Sequence, residues 1–260
     1  MMKKLGLALG AGGSRGVAHI GFLQALEESN VRIDYIVGAS MGSVVGGAYA
    51  AGVSLETMRE AVFKLRLLDL ITPAKQKGGV FGNTKMRNQI VKHLGEITFA
   101  DLKIPFHCVA VDMVKQEVVE FSEGSVVDAI VASSSIPAVF PPVVMGDKRL
   151  IDGGVLERVP AMRVKKMGAD VVVAVDVLGW RNASEKVSGP LGVSLETFDI
   201  MDNHRTKAYH VKHKKDIDFW LEPDLGDMSQ YSLKQIREAY EVGYELGKAN
   251  VAEIKKALKE

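Results

Sequence analysis

Ser40 stands in Gly38-Ala39-Ser40-Met41-Gly42, a G-x-S-x-G pattern between the apolar run Tyr35-Ile36-Val37 and a stretch rich in Ala, Val and Gly. Read as strand, turn and helix, the pattern puts the serine on a sharp bend. Its hydroxyl is then exposed at a strand's carboxyl end and at a helix N-terminus, where amides and the helix dipole favour negative charge. The bend presses together the residues two before and two after the serine, which glycine tolerates because it has no Cβ. The chemistry on offer is nucleophilic attack by a hydroxyl. The plain alternative is a glycine-rich turn whose serine only caps the helix, and five residues alone do not choose between them.

A nucleophilic serine needs a base and donors for an oxyanion. Gly10-Ala11-Gly12-Gly13-Ser14-Arg15-Gly16 joins a short apolar strand, Leu5–Leu9, to a helix expected over about 17–29, with Val17, Ile20, Leu23 and Leu26 at helical spacing. Such a loop serves a dinucleotide or an oxyanion. A dinucleotide site wants an acidic residue at the end of the second strand. That strand ends at Ala39-Ser40, and Asp34 lies at its beginning. The Gly12 and Gly13 amides are therefore expected to face Ser40 from an adjacent parallel strand, with close helix–strand packing as the alternative use of small residues. Arg15 reads either as an anion clamp or as a surface helix residue. His19, alone on its helix, reads as a packed, hydrogen-bonded side chain. Farther on, Arg149-Leu150-Ile151 reads as a strand ending in Asp152-Gly153-Gly154. An aspartate so placed can be presented in a crevice, or can close a turn on its own backbone.

The elements that must carry these groups alternate. Ser54 caps a helix bearing Leu55, Met58, Val62 and Leu65, with Glu56 in its first turn. The segment 67–81 is apolar, then broken by Pro73, then basic; it reads as a mobile flap near the site or as packed core plus an ordinary loop. A helix is expected over 84–93, strands over 106–112 and 117–121, and a helix over 125–133. The loop 133–142 is stiffened by three prolines. Residues 170–177 form a nearly continuous apolar run, suited to a strand covered on both faces. A polar loop spans 180–190, a helix about 194–214 with a basic end, an edge strand 217–221 and a long helix 233–258.

Bulk composition narrows the classes. A hydrophobic fraction of 47% supports a sizeable core, and a net charge of +1 gives no reason to expect nucleic acid. The lone Cys108, in an apolar run, excludes an internal disulfide and reads as an inert buried thiol in a reducing cytosol. No Cys/His cluster has zinc spacing, so neither metal nor cofactor is expected. The basic Met1-Met2-Lys3-Lys4 start precedes too short an apolar stretch for a signal peptide, and no 18-residue apolar run predicts a membrane span. Contact with a lipid surface stays open.

With the glycine loop, the Ser40 pentapeptide and Asp152-Gly153-Gly154 in this order, joined by the 133–142 loop, the chain resembles the patatin-like phospholipases, particularly short bacterial members, over roughly its first 180 residues. Ala11 departs from a common third glycine, and Gly10 from an acidic residue found in many members. The resemblance implies an α/β protein with a three-layer α/β/α fold and a mainly parallel central sheet. It implies one domain over 1–260, with a motif-bearing core about 5–180 and a helical part 190–260 packed on it. It implies a Ser–Asp dyad of Ser40 as nucleophile and Asp152 as base, with an oxyanion hole from Gly12 and Gly13, joined by the Ser14 amide; Arg15 and Met41 are candidate substrate contacts. The implied partner is a lipid or acyl ester, cleaved through an acyl-enzyme, with a cytoplasmic location that extends to the membrane periphery. A dry site is expected to raise the Asp152 pKa. Three alternatives remain: transfer of the acyl group to an alcohol, a lipid- or acyl-binding module without catalysis, and a triad using one of the histidines. His204, His210 and His213 lie on an expected helix, which argues against the last. Head group, chain length and oligomeric state are not set by the sequence.

Overall fold

The computed structural model describes residues 3–73, 78–180 and 189–259. In chain order the elements are β1 (Leu5–Leu9), α1 (Ala18–Glu28), β2 (Tyr35–Ala39), α2 (Met41–Ala51), α3 (Leu55–Lys64), β3 (Thr72–Pro73), β4 (Phe81–Gly82), α4 (Thr84–Leu94) and β5 (Phe106–Asp112). They continue with β6 (Glu117–Phe121), α5 (Val126–Ser133), β7 (Val143–Met145), β8 (Lys148–Asp152), α6 (Ala161–Lys166), β9 (Val171–Val175), α7 (Gly189–His213), β10 (Phe219–Leu221) and α8 (Ile236–Ala257).

The central sheet runs β10-β9-β1-β2-β5-β8-β7, with β6 also paired to β5. β10, β9, β1, β2 and β5 are parallel. Period-two alternation divides their side chains between two layers. Leu5, Leu7 and Leu9 of β1, with Val171, Val173 and Val175 of β9, join the larger core, under α1, α2, α5 and α8. Ala8, Val172 and Ala174 face the smaller one with Val164 of α6, against which Tyr209 of α7 packs. The result is a three-layer α/β/α fold, as the sequence leads one to expect.

β5 has three partners but only two edges. β6 pairs with residues 108–112 and overlaps both β2, which pairs with 106–109, and β8, which pairs with 110–112. Overlapping partners must lie on opposite edges, so β2 and β8 share one edge, end to end. Ala39 faces Val109 and Asp152 faces Ala110. The end of β2 and the end of β8 therefore meet.

Segment 67–81 is tied down where it is described. The Val80 and Phe81 amides donate to the carbonyls of Ala138 and Val139 at 3.0 and 2.9 Å, pinning β4 to the proline loop. Residues 74–77 of the suggested flap, and 181–188 of the polar loop, lie outside the described residues. At the start of the central strand β1, the Lys3 amide donates to the Leu258 carbonyl just past α8 at 3.2 Å.

α8 lies along α1 at backbone contact. A Cβ on Gly243 would come within 2.0 Å of the Ala18 carbonyl oxygen, so a side chain there must push the two helices apart. Gly243→Ala is expected to cost about 1–3 kcal/mol of stability. Urea unfolding checks this: the midpoint should fall with the slope unchanged.

Candidate active site

Ser40 occupies the bend between β2 and α2 with φ +50° and ψ −123°, a conformation rare for a residue with a side chain. The bend is tight enough that a Cβ on Gly42 would lie 2.0 Å from the Leu9 carbonyl oxygen, and one on Gly38 2.5 Å from that of Gly42. Backbone anchors hold the strained turn. The Ser40 amide donates to Ser133 Oγ at 2.9 Å, and Ser43 Oγ donates to the Ser40 carbonyl at 2.6 Å.

Asp152 ends β8, and its amide donates to the Ser135 carbonyl at 2.9 Å. Ser133 and Ser135, two residues apart at the end of α5, thus hold the backbones of both Ser40 and Asp152. Ser40 Oγ donates to Asp152 Oδ2 at 2.6 Å, and the Gly154 amide donates to Asp152 Oδ1 at 2.8 Å. Asp152 is only 6% exposed. Burial pushes its pKa up to about 7; the hydrogen bonds from Ser40 and Gly154 oppose this rise, and the nearby Asp202 adds to it.

The glycine loop comes in from β1. The Gly10 amide is taken by Val175 O at 3.0 Å, that of Ala11 by Arg158 O at 2.9 Å and that of Ser14 by Gln230 O at 2.9 Å. Among the described residues no backbone carbonyl takes the amides of Gly12 and Gly13, and both residues line the crevice with Ser40 and Asp152. His19 sits behind the loop, fully buried, with Nε2 donating to the Gly10 carbonyl at 2.8 Å. Burial holds its pKa down at about 4, so it is a neutral brace.

Three expected contacts go elsewhere. The Ser14 amide is spent on Gln230, and its hydroxyl on the Ser229 carbonyl at 3.1 Å. Arg15 is neither on the surface nor at the crevice wall: it is 3% exposed, and its guanidinium donates to the carbonyls of Val177, Leu178, Gly226 and Met228. It stitches the loop to segments more than 160 residues away, as a buried guanidinium needs several acceptors. The Met41 side chain packs over Gly16 and does not line the crevice.

The crevice is small, about 60 Å³. Beside the polar groups it is walled by Ile136, Pro137, Val155, Leu178, Leu195 and Phe198, and no histidine lines it among the described residues. His107 pairs with Glu120, while His204 meets Trp180 edge to face and His210 stacks on Trp220.

One group is absent from the sequence reading. Arg158, buried, donates to Asp202 at 2.8 Å, to Asn203 at 2.7 Å and to Asp176 at 2.7 Å. Arg205 of α7 pairs with Asp202 and donates to the carbonyls of Val155 and Gly154, the latter at 2.8 Å. A charge closing the apolar run at Asp176, and the Asp202/Arg205 spacing on one helix face, were the available signals.

Comparison with known proteins adds the following. A family model described as patatin-like phospholipase matches residues 7–165. An uncharacterized NTE family protein of Mycobacterium tuberculosis is 36% identical over 68% of this chain and 49% of its own length. A lysophospholipase NTE1 of Phaeosphaeria nodorum is 27% identical over 97% of this chain, but over 18% of its own length. The chain thus spans about half of the mycobacterial relative and under a fifth of the fungal one. VipD from Legionella pneumophila shares the fold with TM-score 0.57 and 13% identity, covering 97% of this chain and 67% of that one. The type III effector protein ExoU does so with TM-score 0.50 and 13% identity, covering 100% and 54%.

The Asp152 shift has a stability consequence. Its folded pKa of about 7 lies above the ordinary value of 3.8, so the protonated acid's contribution is whole below about pH 4 and lost as pH rises through about 7. Asparagine cannot ionise and keeps its hydrogen bonds. The melting temperature of Asp152→Asn relative to wild type should therefore climb between about pH 4 and pH 8. Thermal unfolding across that range reads the slope, and a pH-independent difference would mean an ordinary carboxylate.

Proposed function

The chain belongs to the patatin-like phospholipase family, and from that premise we propose that it is a lipid acyl hydrolase working through Ser40 and Asp152. One observation carries the reading: a buried 2.6 Å hydrogen bond from Ser40 Oγ to Asp152 Oδ2, beside two amides that no backbone carbonyl claims among the described residues.

The mechanism follows from that geometry. Ser40 Oγ attacks the ester carbonyl carbon while its proton passes to Asp152 Oδ2. The oxyanion so formed accepts from the Gly12 and Gly13 amides, worth about 3–4 kcal/mol per donor in the transition state. Collapse breaks the bond to the alkoxy oxygen, which leaves as the alcohol with the proton from Asp152. Water then attacks the acyl-enzyme, giving a proton to Asp152 and restoring Ser40 as the carboxylic acid departs. A carboxylate at its usual pKa near 4 is a weak base at neutral pH. Burial that lifts Asp152 to about 7 supports the role.

The crevice walls support an acyl substrate, since Ile136, Leu178, Leu195 and Phe198 offer apolar surface beside the serine. At about 60 Å³ the space suits the reacting ester and a short length of chain. The rest of a lipid would lie outside it, past the exposed Tyr231 at the crevice wall, and Trp180 and the α7 residues Ile200 and Met201 add exposed apolar surface to this part of the chain. That surface supports peripheral contact with a lipid surface.

A fluorophosphonate should label wild type and fail to label Ser40→Ala. On a panel of phospholipids, lysophospholipids and short-chain esters, Ser40→Ala and Asp152→Asn should each lose at least about 10³-fold in kcat. Full turnover by Asp152→Asn would refute the dyad. kcat/KM should rise with pH through a limb near 7, where Asp152 ionises. The Ile200→Glu/Met201→Glu double variant should hold its rate on a water-soluble short-chain ester and lose activity on phospholipid vesicles; equal loss on both substrates would remove that apolar surface from the account.

A further inference from the structure

Beside Asp152 lie four buried or half-buried charges. Arg158 bridges Asp176 and Asp202, and Asp202 also pairs with Arg205. Two positive and two negative side chains make a balanced set. It touches the site at two backbone points. Arg205 Nη1 and Nη2 donate to the carbonyls of Val155 and Gly154, and Gly154 is the residue whose amide holds Asp152 Oδ1 at 2.8 Å. The Arg158 carbonyl accepts from Ala11, next to the two glycines. Asp202 itself lines the crevice. Asp202 and Arg205 lie three residues apart on α7, so one helix face delivers both.

We propose that Asp202 and Arg205 are positioning residues for the Asp152 carboxylate: Arg205 fixes the turn that aims it at Ser40, and Asp202, paired with Arg205 and Arg158 at the crevice wall, anchors that guanidinium and sets the charge beside the carboxylate. This rests on reading Asp152 as the base. A guanidinium suits the first task because its rigid planar fork holds two carbonyls and a carboxylate on two separate nitrogens, where an ammonium offers one nitrogen with rotatable donors. The second task follows from placement and sign: Asp202 lines the same crevice as Asp152, and a negative charge there disfavours ionisation of Asp152, adding to the larger effect of burial. The other ionisable groups around Asp152 are Asp199 and Tyr231 at the crevice wall, with Arg158 and Asp176 in the set itself. All four stay unchanged in the variants below.

Because the set is balanced, removing one charge from either side leaves an excess of opposite sign. Asp202→Asn leaves a net positive set and should lower the pH limb of kcat/KM by about one unit. Arg205→Gln leaves a net negative set and should raise it by a similar amount. Arg205→Lys keeps the charge and loses the fork, so its limb should stay near wild type while kcat falls roughly 10–100-fold from misalignment. The Asp152 carboxyl carbon, followed by 13C NMR and assigned by its loss in Asp152→Asn, reads the same shifts without turnover. Shifts of opposite sign, with the lysine variant slow but unshifted, support the proposal. A purely structural role lowers rate and stability together with no shift, or with shifts of one sign, and that result overturns it. If Arg205→Gln does not fold, Arg205→Lys decides the positioning role: wild-type kcat there sinks it. A wild type that shows no fluorophosphonate labelling but gives opposite NMR shifts would remove the hydrolase reading and leave the charge coupling standing.

Discussion

A strand has two edges, and the site depends on how β5 fills one of them. β2 arrives along that edge from one end and β8 from the other, so Ala39 and Asp152 are the partners of consecutive residues, Val109 and Ala110. Ser40 and Asp152 are 112 positions apart in the chain, yet their approach is set by ladder register rather than by two long side chains finding each other. Register is a stiff constraint, since a slip by one residue would turn every side chain of β8 to the wrong face. The junction also leaves no room for side chains at its corner: a Cβ on Gly153 would lie 2.2 Å from the Val109 carbonyl oxygen. The glycine after Asp152 is thus required by the same edge that positions the aspartate.

Around that junction the backbone amides are largely satisfied, while among the described residues His19 Nδ1, Ser134 Oγ and Arg158 Nε are buried without a partner. The Ser40 and Asp152 amides go to the end of α5, and the flanking amides of the glycine loop go to Val175, Arg158 and Gln230. Among the described residues, the Gly12 and Gly13 amides have no backbone carbonyl acceptor, and both glycines line the crevice. Strain at Ser40, of order 1–3 kcal/mol for such a backbone, persists because several of these bonds and the packing of α2 against β1 over-determine it. His19 extends the logic inward. A charged imidazole would be a cost so deep in the core, so it stays neutral and acts on the Gly10 carbonyl alone.

How much of this was legible in the sequence depended on range. Ser40, Gly12 and Gly13 sit in turns whose geometry is written in adjacent residues, and the strands around them show their burial by apolar runs. Asp152 was legible because two glycines follow it at a strand end. Arg15 was misread for a physical reason: a basic residue after glycines at a helix start looks like an anion contact, but its acceptors are carbonyls at 177, 178, 226 and 228, which no local pattern announces. The Ser14 amide went the same way, to Gln230. The Arg158, Asp176, Asp202 and Arg205 set was not found, because its members come from three separate elements and only their burial makes them a unit.

Lys3 and Leu258 lie against each other. β1, a central strand, starts there, at the end of the sheet opposite the glycine loop. Whatever is attached at that point stands away from the crevice mouth. Lys3 and Leu258 are therefore places to attach a tether or reporter without obstructing the serine.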